Sequence, residues 1–164
     1  MSEQTINTGD KHLTFTLDGE LFALDIETVR EVQDMTTVTR IPHAPPHLRG
    51  VVNLRGNAVP VFDLRRKLGL APAETTINTR IMIMEIPVGE GSLQIGAMAD
   101  SVKEVVEIEP QTLAQPPRIG SKVPAEFIRG VIKRGGRFIM LLDGQRIFGE
   151  QDAAAARHVG GGES

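Results

Sequence analysis

Four histidines, two aspartates at the ends of apolar stretches and one run of three cations are the groups in this chain that could do chemistry. His43 and His47 stand four residues apart, the spacing of two metal ligands on one helix face. Pro42, Pro45 and Pro46 prevent that helix because proline lacks the amide donor, and the chain has no cysteine to complete a ligand set. A polar loop is the better account. Asp63 and Asp143 could act as a carboxylate pair in acid–base work. Each closes an apolar stretch where the chain turns, however, and aspartate suits a turn or a helix N-cap, so the structural account is favoured. Ser2, Ser92, Ser101, Ser121 and Ser164 are the only serines, and none sits in a nucleophile elbow. No Gly-Lys-Ser/Thr phosphate loop occurs. Arg65-Arg66-Lys67 could meet phosphates, but no stacking aromatics accompany it, and a solvated turn explains it as well. The expectation is a protein that is not an enzyme, with no metal and no cofactor.

The elements must therefore position a surface rather than a reaction centre. A chain of 164 residues is about one domain. The net charge of −3 disfavours nucleic acid as the main partner. The absence of cysteine fits a reducing compartment. The polar start, Met1 to Asp10, has no apolar core of a signal peptide, and no run reaches the ~20 apolar residues of a membrane span. The expectation is a cytoplasmic chain without direct membrane insertion. With six Phe and no Trp or Tyr, its core must lean on Val, Ile, Leu and Met.

The chain repeats itself. Arg49-Gly50-Val51-Val52 leads through Gly56 to Asp63, and 80 positions later Arg129-Gly130-Val131-Ile132 leads through Gly136 to Asp143. Upstream, Val29-Arg30-Glu31-Val32 is echoed by Val102-Lys103-Glu104-Val105. Such a repeat implies two similar lobes. Alternating His12 to Leu17, then Asp18-Gly19, then Phe22 to Ile26 predicts a hairpin. Val51 to Leu54 with Ala58 to Leu64, Thr79 to Ile86 with Leu93 to Ala99, and Phe127 to Lys133 with Arg137 to Leu142 predict three more. Val102 to Ile108 is strand-like, while Glu27 to Gln33 reads equally as strand or helical turn. Pro46 to Leu48 and Arg65 to Gly69 suit short helical turns, and Gln115 to Pro124 a loop. About ten short strands in two copies predict an all-β fold of two five-stranded lobes. Approximate bounds are 12–70 and 79–148, with strand exchange between lobes left open. Residues 1–11 are expected to be flexible, and 149–164 a frayed helix or disordered tail.

Differences between the copies are candidates for function. The first hairpin turn reads Asn53-Leu54-Arg55-Gly56-Asn57 and the second Lys133-Arg134-Gly135-Gly136-Arg137. Gly135 stands where the first copy has Arg55. A single exposed arginine is usually just solvated, yet arginine is enriched at binding hot spots. Glu31 would pair with it if their strands lie close.

The run Arg49 to Gly56, continued by Val59-Pro60-Val61-Phe62-Asp63-Leu64-Arg65, closely resembles the hallmark segment of the CheW family of bacterial chemotaxis coupling proteins. Phe22-Ala23-Leu24-Asp25-Ile26, Val29 to Val32 and Thr39-Arg40-Ile41-Pro42 resemble its flanking segments. The resemblance spans roughly residues 12–148. It implies two SH3-like five-stranded β-barrels around a shared core. It also implies an adaptor joining the regulatory domain of the histidine kinase CheA to the signalling tip of methyl-accepting chemotaxis receptors. No kinase or receiver module accompanies the match, so a stand-alone coupling protein is expected, monomeric when free and recruited to membrane-associated receptor arrays. Arg55 and Glu31 match family positions of receptor coupling and array assembly, with Val29 and Gly50 in the same surface. Asp34 and Val38 match kinase-facing positions. The family's helix after the last strand meets Gly144 here, which implies a late or short helix. A β-barrel nucleic-acid binder using Arg65, Arg66 and Lys67 is the competing class.

Overall fold

The computed structural model describes residues 11–109 and 123–161. Ten strands carry the fold: β1 Lys11–Leu17, β2 Glu20–Asp25, β3 Val29–Asp34, β4 Leu48–Leu54, β5 Asn57–Asp63, β6 Arg80–Val88, β7 Gly91–Ala99, β8 Ser101–Glu107, β9 Ile128–Arg134 and β10 Arg137–Leu142. Three short helices follow β5 and β10: α1 Leu64–Lys67, α2 Gly144–Ile147 and α3 Glu150–Gly161. The expected flexible segment 1–11 lies outside the described residues, except that Lys11 opens β1. Most of the expected loop at 115–124 also lies outside them. The ambiguous segment at 27–33 resolves as β3, in keeping with its β-branched valines. At Pro46 there is a turn rather than a helix, closed by Leu48 N–H donating to Pro45 O at 2.9 Å.

The strands form two five-stranded sheets, in the orders β9-β10-β2-β1-β8 and β3-β6-β7-β5-β4. The contiguous bounds 12–70 and 79–148 do not describe these sheets; the strand exchange left open by the sequence does. The β1–β2 hairpin joins the later half through the parallel register Ile139 to Leu21. The β6–β7 hairpin joins the earlier half through the parallel register Val61 to Gly96. The reason is pairing: β10 and β5 each leave one edge free after their own hairpins, and the hairpin of the other half satisfies it. One hydrophobic cluster runs through both sheets, with Phe15, Phe22, Phe62, Met82 and Met84 almost completely buried. Phe15 and Phe22 face each other across the β1–β2 ladder with ring centroids 6.0 Å apart.

Both repeat aspartates act as helix caps. Asp63 Oδ1 accepts from the Arg65 amide at 3.1 Å, and Asp143 Oδ1 accepts from Gln145 at 3.1 Å and Arg146 at 3.3 Å. The segment after 149 is a helix over most of its length, not a disordered tail. It begins late, as the glycine at 144 implied, because the first turn after β10 is the separate α2. Buried Asp152 ties α3 down: its carboxylate meets His47 Nε2 at 2.6 Å and Lys67 Nζ at 2.7 Å. It also accepts from the Gly149 amide at 3.1 Å, satisfying a donor at the helix start.

A second polar clamp links the sheets. Arg65, beside the second sheet, donates to Asp100 at 2.9 and 2.6 Å and to the Ala71 carbonyl at 2.8 Å. Asp100 also accepts from the Asp18 amide in the β1–β2 turn at 2.8 Å. Partial burial would push the Asp100 carboxyl up; the Arg65 and Asp18 bonds outweigh it and hold it below its ordinary value. The stabilisation from this lowered carboxyl is complete above the unfolded carboxylate range and is lost as pH falls through the folded value. Asp100→Asn is therefore expected to cost about 1–3 kcal/mol at pH 7 in denaturant unfolding. The gap from wild type should close below about pH 4. A gap that is unchanged at low pH would contradict the clamp.

Candidate functional site

Three hairpins turn through two consecutive positive-φ residues: Asp18-Gly19 at 54° and 79°, Arg55-Gly56 at 50° and 89°, and Gly135-Gly136 at 59° and 80°. This turn matches the twist of the strands and favours Asn, Asp and Gly. Aspartate and glycine satisfy it in the first and last hairpins. Arg55 does not, because a Cβ makes the left-handed region costly. The Asn53 side chain supports the turn by accepting from the Gly56 amide at 2.8 Å. A strained conformation kept at an exposed tip, where the repeat uses glycine, points to function.

The Arg55 guanidinium forms a two-pronged ion pair with Glu31, with Nη1 3.4 Å from Oε1 and Nη2 bonded to Oε2. Gln33 Nε2 donates to Glu31 Oε1 at 3.0 Å and steadies it. The Arg55 bonds hold the Glu31 carboxyl below its ordinary value, and Glu31 in turn raises Arg55. Both groups are charged at neutral pH. The Arg55 side chain is 64 % exposed, so water screens the pair and it adds little to stability. It fixes the direction in which a cation and a carboxylate are presented.

The two partners come from opposite edges of one sheet, since β3 and β4 end the second strand order. The chain after β3 bends back to β4, where Thr39 and Val51 exchange backbone hydrogen bonds at 2.8 Å each. Gly50 makes this possible. A Cβ there would lie 2.1 Å from Thr39 O and 2.8 Å from the Val38 side chain, at a φ of +152°.

Of the six residues singled out by the sequence, Arg55 and Glu31 are thus brought together on the surface. Gly50 and Val38 meet beneath that edge. Val29 is buried at 8 % exposure in the shared core, so it shapes the surface without presenting a side chain. Asp34 is exposed at the end of β3, 3.4 Å from Arg80. The basic run is already engaged: Arg65 with Asp100, Lys67 with Asp152, and Arg66 with Asp63 at 3.7 Å. His47 pairs with Asp152 and stacks on Phe62 at 5.7 Å. Sequence reading missed Asp152. The N-cap pattern of an acid three residues after Gly149 was its one local signal. Among the described residues no group of three or more His, Asp or Glu is placed to hold a metal ion. Nor among them is any helix long and apolar enough to cross a membrane.

Fold and site define a two-lobed β protein whose distinctive groups are a surface ion pair and the edge that carries it. The chain belongs to the CheW family, as a family model for the CheW-like domain matches residues 11–152. It is 30% identical over 154 residues to a probable chemotaxis protein CheW of Rhizobium etli, covering 93% of this chain and 97% of that protein. It is 31% identical over 150 residues to the chemotaxis protein CheW of Rhizobium meliloti, covering 92% and 94%. The crystal structure of the scaffolding protein TtCheW from Thermoanaerobacter tengcongensis superposes with a TM-score of 0.78 at 29% identity, covering 93% of this chain and 96% of that one.

The geometry separates two roles by stability. Gly50→Ala should cost more than about 2 kcal/mol, because backbone must move to admit the Cβ. Arg55→Asn should leave the melting temperature within about 3 °C of wild type, since asparagine tolerates the turn. Thermal unfolding of both variants followed by circular dichroism checks this. Equal losses would assign Arg55 to the framework.

Proposed function

We propose that this chain is a non-enzymatic adaptor that joins the regulatory domain of the histidine kinase CheA to the signalling tip of methyl-accepting chemotaxis receptors. It works in the cytoplasm, is monomeric when free, and is recruited to membrane-associated receptor arrays. The observation that carries the reading is Arg55, held in a left-handed turn where the other repeat has glycine and aimed by Glu31, in a chain of the CheW family. Arginine of this kind offers a planar, directional cation to a partner's carboxylate or carbonyl groups.

In this reading Arg55 and Glu31 contact the receptor tip, and Val29 and Gly50 set the shape of that surface from below. Asp34 and Val38 face the kinase. The two parts suit an adaptor because they lie where the two edge strands β3 and β4 are drawn together, so two partners can be held side by side. Nucleic acid is a poor alternative, because the three cations it would use are bound to carboxylates of the same chain.

Co-sedimentation of the chain with a receptor signalling fragment and CheA tests the reading. Arg55→Ala is expected to weaken ternary assembly about tenfold or more, the effect of losing a hot-spot arginine, while the melting temperature stays near wild type. Binding of the wild-type chain to neither partner would sink the proposal.

A further inference from the structure

The connection between β3 and β4 borders an open groove of about 940 Å³. Val38, Ile41 and Pro42 supply apolar wall, and Arg40, Arg49 and Arg66 line the same space. None of its lining residues is a carboxylate. Arg40 and Arg49 form no ion pair among the described residues, and Arg66 reaches only Asp63, at 3.7 Å. The neighbouring Arg65 and Lys67, by contrast, hold carboxylates at 2.6 and 2.7 Å. Arg40 and Arg49 face one concavity without counter-charges, and a ligand that supplies the charge relieves their repulsion.

We infer that the groove binds an acidic, partly apolar segment of a partner protein. Its carboxylates sit on the arginine forks, the geometry in which guanidinium groups bind most strongly, and its apolar side chains lie against Val38, Ile41 and Pro42. A small inorganic anion would use the arginines and leave that apolar wall wet. A nucleic acid strand would find no aromatic surface on which to stack. The prolines of the connection fix their φ angles before binding, and His43 between them is held at φ 64°. Little ordering entropy is then left to lose when the segment docks. This site is separate from the Arg55–Glu31 pair, shares Val38 with the kinase-facing stretch proposed above, and its occupancy can be read on the chain alone.

The experiment is fluorescence anisotropy of the full chain with a fluorescein-labelled peptide of repeated Glu-Leu-Gly units. A Gln-Leu-Gly peptide serves as control. The Glu peptide should bind saturably and the Gln peptide should not. R40Q/R49Q should weaken binding by about tenfold or more, since two charge-assisted contacts are removed, and Arg55→Asn should bind as wild type does. The inference is overturned by absent saturable binding, by equal affinity for the Gln peptide, or by unchanged affinity in R40Q/R49Q. Full displacement by millimolar inorganic phosphate would also overturn it, by showing a bare anion site. If the double variant does not fold by circular dichroism, Arg40→Gln alone, at an exposed position, carries the same expectation. A failed receptor or kinase interaction leaves this result unaffected, so the two readings fail separately.

Discussion

At Gly50 any side chain would run into the carbonyl oxygen of Thr39, 2.1 Å from where its Cβ would lie. That contact lets the second sheet bring its two edges together. With strand order β3-β6-β7-β5-β4, β3 and β4 share no ladder. They meet because the chain after β3 folds over Gly50 and bonds to Val51. Only then does the tip of the β4–β5 hairpin stand over β3, within reach of Glu31. The ion pair is a consequence of the curl, and the curl rests on one missing methyl group.

The exchange of hairpins makes the rest of the molecule hold this geometry. Each sheet is completed by a parallel strand from the other half of the chain, so neither repeat can close its own hydrogen bonds. A cluster running through both sheets fills the space between them. The Arg65–Asp100 clamp ties the β1–β2 turn to α1, and Asp152 ties α3 to His47 and Lys67. These two networks use the side chains that looked most like chemistry in the sequence. Within a CheW-family fold they are internal fasteners, which leaves the exposed Arg55–Glu31 pair as the surface we propose for partners.

Much of this was legible from local pattern. Period-two alternation and the Asp18-Gly19 and Gly135-Gly136 turns located the hairpins, and the repeat predicted two five-stranded units. Comparing copies singled out Arg55 with Glu31 as its candidate partner, and the structure brings the two together. What was not legible depended on distance along the chain. Val29 reads as a surface residue by motif and is buried, because the face a strand residue takes depends on the sheet it joins. The contiguous lobe bounds were wrong because which hairpin completes which sheet is decided by parallel edges far apart in sequence. The alanine-rich end reads as a frayed helix or a disordered tail, and what holds it as a helix, Asp152 meeting Lys67 and His47, lies far away in sequence. Gly50 was placed in the Arg55 surface by resemblance, but the group that approaches it, Thr39, had no sequence signal.

The central claim is that Arg55 and Glu31 act as a unit on partners and not on the fold. A double-mutant cycle of Arg55→Ala and Glu31→Ala tests it most directly, read once in thermal unfolding and once in assembly with receptor fragment and kinase. The account predicts additive, near-zero effects in unfolding. In assembly it predicts strong non-additivity, with the double variant about as weak as either single one. Coupling that appears in unfolding and vanishes in assembly would contradict it.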